Sequence, residues 1–240
     1  MRRGANCWRA GNSAIPKPVT TIPPKTPAKR GRRQPAAPKD AERTRADILV
    51  AATREFAENG YSGARIEHIV HRMRTSKRMI YYYFKDKRGL YSAVLEEYYR
   101  SLRQAESDLR LDDRPPLEAL RELINFTFDY HIAHPDRVRL VMVENIHKGR
   151  HLDTIPFLEE LNATVIQAMA RICERGQAEG VIRADADPLE IYLSIAAVSF
   201  FNVSNRYTVA KIFQYDMASA EAYAARKAHA IDMILRYVAA

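Results

Sequence analysis

Apolar residues recur at i, i+3 and i+4 through most of this chain, and no stretch alternates strictly between apolar and polar. That period suits amphipathic helices and leaves no half-buried strand, so the fold class is all-α, with about nine helices. The first carries Ile48, Leu49, Ala52 and Phe56 on one stripe and stops at Asn59-Gly60, residue types that tolerate the left-handed conformation at a helix end. A second, about Arg65–Met73, turns Ile66, Ile69, Val70 and Met73 inward. Thr75 and Ser76 offer an N-cap for a short third helix through Tyr83. Asp86 caps a long fourth helix with Leu90, Val94, Leu95, Tyr98 and Leu102 inward, closed off by Pro115-Pro116. Further helices are predicted at 116–134, 136–147, 156–178, 188–205 and 218–238, Asp187-Pro188 supplying a cap and a first-turn proline together.

Charge divides the chain before any motif does. The net charge is +9, yet residues 1–39 carry ten Arg or Lys, no acid and seven of the twelve prolines, which leaves the remainder near neutrality. Such a segment cannot bury enough surface to offset its ordering entropy and is expected to be a disordered basic tail. The division expected is tail 1–39, a small domain 40–91 and a larger one 92–240. Cys7 and Cys173 are the only cysteines, too few for a disulfide framework or zinc ribbon and in keeping with a reducing cytosol. The tail has no apolar h-region of a secretory signal. The best membrane candidate, Ile191–Asn205, is a polar-interrupted run of 15 uncharged residues where about 20 mostly apolar ones are needed; it reads as a helix buried on most of its faces.

No nucleophile elbow, Cys-His signature or phosphate-cradling glycine loop occurs, so neither an enzyme nor a cofactor is expected. Glu144, His147 and His151 fall at i, i+3, i+7, and with His131 and His134 raise the idea of a zinc or iron site. Gly149 and the break at Pro135 speak against one rigid helix presenting them. The histidines are read as solvated, capping or lining an organic pocket, with no metal.

Ala64–Lys87, ARIEHIVHRMRTSKRMIYYYFKDK, has helix-turn-helix spacing. With Ile80 and Phe84 inward, Lys77, Arg78, Tyr82 and one of Tyr81 or Tyr83 face outward, cations and hydroxyls suited to phosphate oxygens and purine acceptors in a major groove. A solvated basic face on an ordinary helical hairpin has the same spacing. The run from Ile48 to Glu96 resembles the DNA-binding domain of TetR-type transcriptional regulators, through Phe56-Gly60-Tyr61, Ile69, Ser76-Lys77, Ile80-Tyr81, Phe84, Lys87 and Leu90. The resemblance implies a homodimer whose C-terminal helices form a ligand pocket and a dimer interface. It implies that Lys77, Arg78 and Met79 approach base edges, that Tyr81, Tyr82, Tyr83 and Lys87 hold phosphates, and that Arg65 touches the backbone; the alternative is that one tyrosine packs inward and Met79 belongs to the core. Two residues depart from the family pattern: Arg74 stands where the turn usually has glycine, and Val70 where alanine is usual, at the contact of helices two and three.

The tail segment Pro27–Pro35 resembles an AT-hook, with Arg30 and Arg32 flanking Gly31 but Arg33 in place of the usual proline; it reads as a minor-groove arm, as a solvated extension or as an overlong start. In the C-terminal half, Leu193, Ala196, Ala197 and Phe200 of the 188–205 helix, with Ala222, Ala225, His229, Ile231, Ile234, Leu235 and Val238 of the last helix, are the expected dimer surface, or else complete the monomer's core. Phe126, Tyr130, His131, Val143, His147, Met169, Tyr192, Phe200 and Asn202 are the expected effector-binding residues, apolar walls with a few polar groups. Pro135–Ile146 is similar to C-terminal halves of TetR-type regulators linked to small-molecule catabolism, which suggests an aromatic or heterocyclic acid. The resulting expectation is a dimeric, cytoplasmic, nucleoid-associated repressor of a palindromic double-stranded DNA operator, released by a small molecule and not attached to a membrane. Rival readings are an architectural protein coating DNA through its tail and a helical enzyme acting on a small molecule.

Overall fold

The computed structural model describes residues 38–240, which form ten α-helices. They are α1 (Pro38–Gly63), α2 (Ile66–Met73), α3 (Lys77–Phe84), α4 (Lys87–Ser107), α5 (Pro116–Ala133), α6 (Pro135–Ile146), α7 (Leu158–Ala178), α8 (Pro188–Ser204), α9 (Arg206–Phe213) and α10 (Ala220–Val238). The tail assigned to residues 1–39, with Arg30 and Arg32, lies outside the described residues apart from its last two.

Start signals act where their side chains meet free backbone donors. Asp86 accepts from the Gly89 amide at 2.7 Å, Asp187 from Leu189 at 2.7 Å and Glu190 at 3.2 Å, and Ser219 from Ala222 at 3.2 Å. Each such cap stabilises its helix by about 1 kcal/mol. The stop expected at Asn59-Gly60 is a kink instead: Gly60 sits at φ 66°, ψ 176°, and the chain runs helically on to Gly63. Gly89 has a different constraint. A Cβ there would fall inside contact distance of the Phe84 carbonyl oxygen, so only glycine lets α4 start this close behind α3.

One core is built from Ile48, Leu49, Ala52 and Phe56 of α1, Ile66 and Ile69 of α2, Ile80 and Phe84 of α3, and Leu90, Tyr91, Val94 and Leu95 of α4. Leu140 of α6 and Ile155 close it, so the helix-turn-helix segment shares its interior with the rest of the chain. A second core joins α5, α7, α8 and α10 through Leu120, Ile124, Phe128, Met169, Ile172, Ile191, Ile195, Ile234 and Val238. A fully buried side chain of this size contributes roughly 1.5–3 kcal/mol. Between the two, Tyr98 and Leu102 of α4 and Tyr130 of α5 form a third, smaller cluster with Tyr99, Phe126 and Val141 against it.

Two expectations change. The short α9, RYTVAKIF, was not anticipated and buries no residue, so it has no core-facing stripe to announce it. Helix α8 is not buried on most faces: Ile191, Ile195, Ser199 and Asn202 point inward, whereas Leu189, Leu193, Ala197 and Phe201, four residues apart, are exposed.

Candidate functional site

Helices α2 and α3 are joined by a turn that requires one left-handed residue. Arg74 fills it at φ 52°, ψ 35°, and the turn returns the amides of Arg74 and Thr75 to the carbonyls of His71 and Val70. A residue with a Cβ in that conformation costs roughly 1 kcal/mol. Val70 is accommodated half-buried at the edge of the first core. Ser76 then caps α3 by accepting from the Met79 amide at 3.4 Å.

Burial of Ile80 and Phe84 fixes the rotation of α3 and therefore what it presents outward. Tyr82 is 78% exposed and Tyr81 43%, beside exposed Lys77 and Arg78. Tyr83 is the inward tyrosine, half-buried with its ring against Tyr82 and Phe84, and Met79 is half-buried. Lys77 donates to Glu67 of α2, a contact that raises the pKa of the lysine and lowers that of the glutamate. No carboxylate pairs with Arg78 among the described residues. Lys87 lies with its ammonium over the Tyr61 ring and donates to the Ser62 carbonyl at 3.3 Å; partial burial lowers its pKa. The Arg65 side chain is exposed at the start of α2.

Glu55 organises this surface from below, and sequence reading missed it. Its fully buried carboxylate accepts from the Arg65 amide at 3.1 Å and lies 3.0 Å from His68 Nδ1, with Arg72 at 3.7 Å. A negative charge at the N-terminus of α2 is favourably placed against the helix dipole and substitutes for the missing N-cap side chain. The available sign was its position, seven residues after Ile48 on the apolar stripe of α1.

Glu144 and His151 do meet, though as a hydrogen-bonded pair. The carboxylate accepts from the His151 amide at 2.7 Å and lies 2.9 Å from its Nδ1, while the imidazole packs on Tyr61 and Tyr91. His147 stands apart, its ring centroid 6.2 Å from that of His151, and Val143 borders the Gly60 kink. Among the described residues no three His, Cys, Asp or Glu side chains are grouped as a metal site would require.

The expected effector residues separate into groups. Tyr130 and Phe126 belong to the Tyr98–Leu102 cluster, Tyr192 packs on the second core, and the Arg137 guanidinium donates to the Tyr130 hydroxyl. Arg103, which the sequence reading passed over, reaches into the same region. It donates to the Tyr192 hydroxyl at 2.8 Å and to Glu106 at 2.5 Å, and its Nε has no partner. Arg103 and Glu106 are 7% and 6% exposed, and burial pushes the Glu106 carboxyl up to about 7 against the pull of Arg103. A recess of about 220 Å³ adjoins the pair between α4 and α7.

His131 of α5 meets Phe200 of α8 edge-on, with centroids 5.8 Å apart. Its Nδ1 has no partner, burial lowers its pKa to about 4, and neither polar atom of buried Asn202 is hydrogen-bonded. Unpartnered buried polar atoms are rare in native cores and costly to leave unmade. Met169 is fully buried in the second core. The larger cleft, about 450 Å³ between α1, α4 and the α5–α6 corner, includes none of the expected residues.

The outward faces of the last long helices are apolar at i+4 spacing: the Leu189–Phe201 stripe of α8, and Ala225, His229, Met233 and Tyr237 of α10. Ala222, Ile234 and Val238, expected at a dimer surface, are buried within the chain's own core, and Ile231 and Leu235 pack on it, because α10 turns that side toward α5. Among the described residues no helix is long and apolar enough to cross a membrane.

Comparison with known proteins agrees with this geometry. Residues 48–94 match the family model described as bacterial regulatory proteins, tetR family, and residues 116–234 the one described as tetracyclin repressor-like, C-terminal domain. The chain is 40% identical over 196 residues to the HTH-type transcriptional repressor NicS of Pseudomonas putida, covering 82% of this chain and 92% of that protein. It is 34% identical over 152 residues to the HTH-type transcriptional repressor SCO4008 of Streptomyces coelicolor, covering 63% and 73% respectively. The crystal structure of the regulator SCO4942 from Streptomyces coelicolor superposes with a TM-score of 0.61 at 25% identity, over 81% of this chain and 98% of that one.

Proposed function

Because the chain belongs to the TetR family of bacterial transcriptional regulators, we propose that this DNA-binding regulator is a repressor released from a palindromic operator by a small aromatic or heterocyclic acid. It is a regulator and not an enzyme. The observation that carries the reading is the rotation of α3: Ile80 and Phe84 are locked inward, so Arg78, Tyr81 and Tyr82 face the solvent as one surface. In this reading Lys77, Arg78 and Met79 meet base edges, Lys77 exchanging Glu67 for DNA. Tyr81, Tyr82, Lys87 and Arg65 take phosphates, with Tyr83 at the margin. Arg30 and Arg32 follow the adjacent minor groove. The protein acts in the bacterial cytosol, at the nucleoid.

Two recognition helices reach successive major grooves, about 34 Å apart, only in a dimer. The unpartnered stripes of α8 and α10 suit a four-helix junction between two copies, which supports a homodimer through these helices. Repression is supported by the names of the two relatives, and an acidic effector by a buried cation among aromatic rings. Tyr192 accepts from that cation, Phe126 and Tyr130 belong to the adjoining cluster, and His131, Phe200 and Asn202 follow along α5 and α8. Val143, His147 and Met169 have weaker support, since they lie at the α1–α6 contact or in the second core. The effector works by population shift, holding a conformation whose α3 helices no longer match the groove spacing; a ligand binding both conformations equally would do nothing.

The test is selection of bound duplexes from a random library, using the full chain and a version starting at Asp40. An inverted repeat recovered by both supports the dimeric regulator. Asymmetric A·T-rich DNA bound by the full chain alone would replace it with the tail-driven architectural reading. On the selected repeat, Arg78→Ala is expected to weaken binding by about 1–3 kcal/mol and relax one base position.

A further inference from the structure

We infer that Arg103 is the seat of the effector's carboxylate and that Glu106 is a resident counter-ion, which yields the guanidinium to the entering anion and takes up one proton. The inference deepens the acid-released repressor reading and rests on it.

An arginine nine-tenths buried normally has its whole donor fork satisfied. Here Nη1 goes to Glu106 and Nη2 to Tyr192, while Nε has no partner. A planar carboxylate accepts from two guanidinium nitrogens at once, a geometry that the present single Glu106 contact does not use. A recess adjoins the pair: it is lined by both of these residues and by Ser107, Arg110, Thr164 and Gln167. At about 220 Å³ it is smaller than the roughly 300 Å³ at which drug-sized sites begin. Its size matches one ring bearing a carboxylate.

Charge accounting makes the exchange a protonation step. Arg103 and Glu106 together are neutral, so a second carboxylate would leave one buried, uncompensated negative charge. It would also sit near the C-terminal, electronegative end of α4. Protonation of Glu106 restores neutrality as the effector takes its place. The charged and titratable groups around Glu106 are Arg103 and Tyr99 on α4, Arg110 beyond its end, Asp112, Arg171 on α7 and Tyr192 on α8. Asp112 is held in a forked pair by Arg171 at 3.0–3.2 Å, and Arg110 has no carboxylate partner among the described residues. The mouth is thus cationic and draws anions. Burial already brings Glu106 to about 7, so the proton is available near neutrality.

The experiment is calorimetric titration of the full-length protein at pH 6, 7 and 8, in buffers of different protonation enthalpy. The probes are benzoate and the three pyridinecarboxylates, each beside its neutral carboxamide. Operator binding by the wild-type protein is measured first; its absence would overturn the regulator reading, independently of any effector result. At least one acid is expected to bind over tenfold tighter than its amide. Close to one proton should be taken up at pH 8 and almost none at pH 6, so that affinity falls by up to about tenfold per pH unit above 7. Glu106→Gln should abolish that slope and bind the acid at least tenfold tighter at pH 8, whereas Arg103→Met should lose the preference for acid over amide. Carbon-13 titration of the Glu106 carboxyl in the free wild-type protein should give a midpoint near 7, whatever the folding of the variants. Equal binding of acids and amides, no binding of any acid, a pH-independent affinity, or a Glu106 midpoint near 4 would each overturn the inference.

Discussion

The helix-turn-helix half and the C-terminal half put their buried charge to different uses. In the first, the deeply buried Glu55 serves structure: one carboxylate oxygen accepts from the Arg65 amide and meets His68, while the other lies 3.7 Å from Arg72 with no hydrogen bond. In the second, Arg103, His131 and Asn202 are buried with polar atoms unpartnered, while apolar stripes on α8 and α10 stay outside. On the proposed reading, a second copy would cover the outer face of the C-terminal half and a small molecule its interior, and each would stabilise it, since anything binding only the folded state does so.

This contrast is most exposed to a test that charges the α8 stripe. Leu193→Glu with Phe201→Glu should yield a folded monomer by sedimentation and lower operator affinity by about 10²–10⁴-fold, the loss of the linked second half-site. An unchanged dimer would mean that the stripe faces solvent in the working protein.

A smaller effect tests the buried charges through pH. The folded pKa of Glu106, about 7, lies above its ordinary 4.5, so its contribution to stability is complete below about 4.5 and is lost as pH rises through 7. Glu106→Gln should therefore gain on the wild type between pH 5 and 8 by up to about 3 kcal/mol in urea unfolding. His131 runs the other way. Its folded pKa, about 4, lies below 6.5, so neutral His131 favours the fold above 6.5 and that contribution disappears as pH falls toward 4. Below pH 6.5 the two oppose each other in the wild type, and Glu106→Gln should expose the acid-side fall.

Within the DNA-binding half, Gly89→Ala should cost roughly 1–3 kcal/mol, because its methyl must displace a backbone carbonyl rather than a mobile side chain; calorimetric melting and operator binding should suffer together. The smallest change is Arg74→Gly. Relief of the left-handed strain should raise stability by at most about 1 kcal/mol without altering the operator selected, since Arg74 shapes the turn and not the face of α3.

Much of this was legible along the chain. The stripes of α1 to α4, the caps Ser76, Asp86 and Asp187, and the outward set on α3 all follow from spacing, because a local helical period dictates which side chains share a face. Three matters were not. The period cannot see α9, which buries nothing. It treats Arg103 and Glu106 as surface residues, since the i+4 and i+7 positions after Tyr99 are apolar only if the neighbouring helix is. And it credits Ile234 and Val238 equally to a dimer surface or to the core, a choice that depends on which side of α10 meets α5.

Residue order alone dictates an all-helical chain with a helix-turn-helix, the residues that α3 turns outward, and a C-terminal half with more apolar surface than one core requires. Each of these depends on residues within a few turns of one another. Packing between distant segments was needed to turn Tyr83 inward, to set Glu55 under α2, and to bring Arg103, Glu106 and Tyr192, as many as 89 residues apart, around one buried charge. The cost of burying a charged group is set by what other segments bring to it, and helical periodicity carries no record of that.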